Sequence, residues 1–157
     1  MPGAWGGEAI AAAIAGEFSP AGRLPVALPR SAGHGPMFHA EHNGSTGNSF
    51  AAGALNRDGY MFSVNTPLRP FGYGLSYTSF SYESFRLSIA PDGRSEASVV
   101  VRNTGFMDGD EVVQLYGRDV VASIVRPVQE LIGICRVSLL AGEARTVRFS
   151  FNLNQLA

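Results

Sequence analysis

The sequence has no lysine, one cysteine, one tryptophan and no long hydrophobic run. Every one of its 12 basic residues is arginine. That reads first as a coding bias, with thermal adaptation as the sharper alternative, although lysine is itself enriched in hyperthermophiles. The basic residues meet 13 acidic ones for a formal charge of -1, so the chain lacks the electrostatic footprint that grips a phosphate backbone or an anionic membrane. Neither nucleic acid nor membrane is expected as a partner. The longest apolar run, residues 9–15, is alanine-rich and falls well short of the ~20 residues a membrane span needs. A lone Cys135 excludes an internal disulfide and a cysteine-cluster metal site, and it leaves the redox compartment open. Met1 is followed by Pro2-Gly3-Ala4-Trp5-Gly6-Gly7, without the basic region or cleavage site of a secretory leader, so the localisation is unknown from this stretch.

What is present is the make-up of folded protein: 157 residues, 45% hydrophobic and 16% charged, enough for one domain or pieces of two. Three textures follow one another. In residues 6–16, Ile10, Ala13 and Ile14 recur at helical spacing, Glu8 favours the first turn and Gly16 closes the last. Pro20 and Gly22 then break the helix before a short extended segment, residues 24–28. So short a helix is marginal alone and must belong to something larger. Residues 31–67 are rich in Gly, Ser, Asn and His with neither period, which predicts a connection draped over a neighbour. From Thr78 onward short runs alternate apolar and polar between turn signals, as in a β-sandwich. Strands are predicted around residues 80–87, 97–101, 111–116, 131–139 and 146–151, with Val147, Phe149 and Phe151 on one core face. Arg126-Pro127 marks an edge or a strand start.

At Pro67-Leu68-Arg69-Pro70-Phe71-Gly72-Tyr73-Gly74-Leu75-Ser76-Tyr77-Thr78-Ser79-Phe80 the chain resembles the junction between the second domain and the fibronectin type III-like domain of glycoside hydrolase family 3, the β-glucosidase and β-xylosidase family. Pro2 to Ala11 followed by Gly16 to Val26 is similar to the end of that family's α/β sandwich domain. Asn103-Thr104-Gly105 with Gly109 to Tyr116, and Arg126 to Gly133, resemble its C-terminal domain. The resemblance covers essentially the whole chain. It implies residues 1–30 as the terminal helix and strand of an α/β domain, 31–77 as an interdomain linker, and 78–157 as a fibronectin type III-like (immunoglobulin-like) β-sandwich. The fold is thus expected to be mostly β. About 80 residues stand where such a sandwich takes ~100 and seven strands, so one or two closing strands are expected to be missing.

The resemblance further implies a retaining, exo-acting β-glycosidase as parent, acting without metal or organic cofactor on a terminal β-linked glucose or xylose. Retention needs two carboxylates flanking the bond, and the family's aspartate and glutamate are expected upstream of Met1. No residue here takes a catalytic role, and the chain alone is expected to be inactive. Its partners would be the parent's oligosaccharide or β-glycoside substrate and the missing N-terminal domains, with self-association through bare strand edges. The alternative is a stand-alone carbohydrate- or protein-binding module.

Other clusters have blander readings beside their chemical ones. His39-Ala40-Glu41-His42-Asn43 offers metal-ligand types but no regular spacing, and reads as a solvated loop. Asp108, Asp110 and Glu111 read as a solvated hairpin rather than an acid and base, and Glu130 as an arginine's structural partner. Trp5 and Tyr73 are the weak substrate-binding candidates, since aromatic faces stack on sugar rings. For Trp5, core or seam packing is the competing reading. Phe71, Tyr73 and Tyr77 are expected to fill a domain seam. Asn43-Gly44-Ser45 matches a glycosylation sequon of the kind that arises by chance, and Cys135 is expected to be a small buried hydrophobe. The Gly-Tyr-Gly run is no phosphate loop, because no lysine exists to reach a phosphate.

Overall fold

A computed structural model describes residues 3–33, 38–40, 66–121 and 123–153. Among these residues one helix, α1 (Gly6–Ala15), precedes five strands: β1 (Phe80–Ile89), β2 (Arg94–Asn103), β3 (Gly109–Gly117), β4 (Glu130–Leu139) and β5 (Ala144–Asn152). The helix ends where the sequence provides a left-handed residue: Gly16 has φ 76°. Its N–H and that of Glu17 bond the carbonyls of Ala13 and Ala12 at 3.1 and 3.0 Å, the paired bonds of a Schellman motif. The extended segment 24–28 forms a single bridge, Leu28 to Arg69, rather than a strand.

The strands form two antiparallel sheets, β1-β2-β5 and β3-β4. Inward residues Val99 and Val101 of β2 meet Val113 of β3, Val137 and Leu139 of β4, and Val147 of β5 in a buried core, and Ala97 of β2 is buried too. Phe80, Cys135 and Phe149 pack partly buried against it, so Cys135 lines the core margin instead of sitting fully inside. A chain with period-2 alternation can bury one face of each sheet in this way.

One register detail is invisible to a strict alternation. Glu83 pairs with Val100 and Arg86 with Ser98, so β1 carries one residue more than its partner across this interval. Ser84, at φ 54°, lies in that bulge. The extra residue restores parity, and both Tyr82 and Leu87 stand on the inner side, opposite Val101 and Ala97. Those two side chains and Ile89 remain about half exposed. The second sheet, two strands wide among the described residues, leaves them without a full cover.

Candidate functional site: the seam between the N-terminal segment and the sandwich

The residues singled out in the 67–80 stretch come together at a seam. Segment 24–28 runs antiparallel to 68–73: Leu28 N–H donates to Arg69 O, Leu68 N–H to Leu28 O, Leu24 N–H to Tyr73 O and Gly72 N–H to Leu24 O, all at 2.8 Å. Within this strap a turn closes from Tyr73 N–H to Pro70 O at 3.2 Å, with Gly72 at φ 78°. Two needs meet at that glycine. A side chain would be strained there, and a Cβ would run into Gln114 and Tyr116 of β3.

Beyond the turn, Arg23 crosses Gly74, where a Cβ would again meet Arg23 and the Gly22 carbonyl. The guanidinium ends in an ion pair with Glu111 of β3, both side chains being largely buried. Tyr82 of β1 donates its phenol to the other carboxylate oxygen of Glu111 at 2.7 Å. Burial, and then the hydrogen bond to Glu111, push the Tyr82 phenol well above its usual range. The solvated-hairpin expectation therefore fails for Glu111. Its neighbour Asp108 lies on the preceding turn and Asp110 at the start of β3, where Arg136 Nε bonds Asp110 at 2.7 Å. A hydrogen bond from Ser138, with help from Arg136, holds the Asp110 carboxyl below its ordinary value.

Smaller contacts extend the seam. Ser19 and Ser76 hydroxyls bond at 2.8 Å, and the Tyr77 phenol donates to Ala13 O of α1 at 2.9 Å. His39 stacks on Phe71 with ring centroids 4.2 Å apart and meets Tyr116 edge-on at 5.5 Å. Its Nε2 is buried without a hydrogen-bond partner among the described residues, and burial lowers its pKa. His39 is thus an aromatic packing partner here. Glu41, His42 and the Asn43 sequon lie outside the described residues, among which no group of three or more metal-ligand side chains occurs.

The two substrate-binding candidates separate. Tyr73 lies in the strap, its ring capped by the Arg69 guanidinium 4.6 Å from the centroid, and stacking there competes with any sugar. Trp5 caps the N-terminus of α1 without a side-chain hydrogen bond and is 77% exposed. It fills neither core nor seam among the described residues. Glu130 does find an arginine, Arg126, at 3.9 Å. The feature that sequence reasoning missed is the Arg23–Glu111–Tyr82 triad, whose members are local to nothing in the sequence.

Two family models match the chain: the glycosyl hydrolase family 3 C-terminal domain over residues 1–77 and a fibronectin type III-like domain over residues 111–157. A periplasmic β-glucosidase of Salmonella typhimurium is 41% identical over 159 residues, covering 98% of this chain and 20% of that enzyme. A β-xylosidase of Formosa agariphila is 41% identical over 153 residues, with 96% and 20% covered. Among solved structures, the Listeria innocua β-glucosidase in complex with glucose superposes with TM-score 0.83 at 31% identity, covering 94% of this chain and 21% of that one. The chain spans about a fifth of the length of the relatives it matches.

Proposed function

The chain belongs to glycoside hydrolase family 3, matching its C-terminal region, and from that premise we propose that it is the C-terminal portion of a retaining, exo-acting β-glycosidase. In this reading residues 1–30 complete an α/β domain, residues 31–77 connect it onward, and residues 78–157 form the fibronectin type III-like domain. The observation that carries the proposal is the lopsided match, more than nine-tenths of this chain against about a fifth of each relative. Both carboxylates for the displacement are supplied by polypeptide outside these 157 residues. The carboxylates within them are poorly suited to the work. Glu111, the one buried carboxylate among the described residues, is held by Arg23 and Tyr82. A general acid needs a carboxyl kept protonated near neutral pH, and a nucleophile needs an open approach to the sugar.

The substrate of the whole enzyme is then a terminal β-linked glucose or xylose unit, and the partner of this chain is the rest of that enzyme. Hydrolysis of aryl β-glucoside and aryl β-xyloside tests the reading. The purified chain is expected to match the uncatalysed background. Turnover above background that survives further purification would overturn the assignment of both carboxylates to other polypeptide.

A further inference from the structure

A concavity lies between residues 17–19 and the segment that leads from β2 into β3. It has a volume of about 720 Å³, within the range of small-ligand sites. Two aromatic rings and four charged groups line it: Phe18, Phe106, Glu17, Asp108, Asp110 and Arg136. Phe106 is fully exposed and Phe18 nearly half exposed. A bare phenyl ring on a loose loop would need no explanation, because single exposed hydrophobic residues are common. The loop carrying Phe106 is not loose.

It is braced from inside by Asn103, a fully buried polar residue. The Asn103 amide donates to Met107 O at 2.8 Å and Leu139 O at 3.3 Å. Its carbonyl accepts from the Thr78 hydroxyl at 2.6 Å and the Gly105 N–H at 3.1 Å. Buried amide groups satisfied on both ends fix the backbone around them. The far end of the turn is tied as well, since Ala141 N–H donates to Asp108 Oδ1 at 2.8 Å. The backbone that carries Phe106 is therefore held in place, and its ring is presented to solvent beside a polar wall. In that wall Arg136 reaches Asp110 through Nε and Nη2, which among the described residues leaves Nη1 for another acceptor. Asp108 keeps its second oxygen uncommitted among the described residues.

This combination matches one ligand class. A pyranose with equatorial hydroxyls offers a flat C–H face to an aromatic ring and a rim of vicinal hydroxyls to planar carboxylate and guanidinium groups. We propose that the cleft between residues 17–19 and the 106–110 turn binds a saccharide, with Phe106 as the stacking platform and Asp108, Asp110 and Arg136 as the hydroxyl-binding rim. The inference does not rest on the hydrolase reading, because a chain inert toward aryl glycosides can still bind here.

Titration of cellobiose into isotopically labelled full-length chain, followed by NMR, tests it. Saturable shifts are expected at Phe106, Gly109 and Arg136. Phe106→Ala should weaken cellobiose about tenfold, the upper end of what one aromatic contact contributes. That substitution removes an exposed ring and leaves the Asn103 bracing in place. Phe85→Ala, an exposed ring on β1, should leave affinity unchanged. Absence of saturable shifts at the cleft, or equal affinity in the Phe106→Ala variant, overturns the proposal. It also fails if cellobiose moves nothing while dilution of the chain shifts Phe106, since the ring would then be a contact between copies.

Discussion

The sandwich and the N-terminal segment hold their places by different means. Between the sheets, Val101, Val113, Leu139 and Val147 are each buried to within a few per cent, and burial of this kind is non-directional and cooperative. Helix α1 buries only Gly6, while Trp5 and Ile14 are each 77% exposed. Its half of the molecule is tied down by directional contacts instead: the 24–28 to 68–73 backbone bonds, Ser19 to Ser76, Tyr77 to Ala13, and the Arg23–Glu111 ion pair. One region carries its own core. The other is attached to that core by polar bonds and presents its apolar side outward.

Substitutions can widen or collapse this contrast. Leu139→Ala should have the largest effect, about 3 to 4 kcal/mol of destabilisation in denaturant unfolding, because it leaves a cavity in a packed core. The matched change in the helix, Ile14→Ala, should stay within about 0.5 kcal/mol. Comparable losses for the two would mean that the helix is packed after all. Next comes Arg23→Ala, which strands the Glu111 carboxylate beside Tyr82 and should cost about 2 to 3 kcal/mol. Hydrogen exchange gives the sharper reading of that variant. Protection should fall in residues 6–16 and 66–77 and persist in β2, β4 and β5, whereas uniform loss would show that the two regions unfold as one unit.

The smallest expected effect is a pH dependence at the seam. Burial lowers the His39 pKa from 6.5, so the unfolded chain takes up the proton first as pH falls. Above 6.5 both states hold a neutral imidazole and stability is insensitive to this group. Below it the unfolded state is favoured, and stability declines until the folded-state pKa is passed. The melting temperature of the parent should therefore drop more steeply than that of His39→Phe between about pH 7 and pH 5, given the unfolded-state value near 6.5. Parallel curves would show that the ring stacked on Phe71 is solvated enough to titrate normally.

Much of this was legible because the signals are local. Gly16 marks the end of α1, and alternation in residues 146–151 places Val147 and Phe149 toward the core. The carboxylates at the entrance to β3 were harder. Asp108, Asp110 and Glu111 look alike as a sequence, yet Glu111 alone is buried and bound to Arg23. No periodicity reports a partner 88 positions away.

The sequence by itself determined the strands, the turns between them and the family, because side-chain period, glycine conformation and motif order are properties of neighbouring residues. Only the tertiary structure decided which of several equivalent residues do something. It set the bulge that turns Tyr82 inward, the burial of Glu111, the caging of Tyr73 by Arg69, and the bracing of Phe106 by Asn103. Each of these depends on what a distant segment brings alongside, and on how much water that segment displaces.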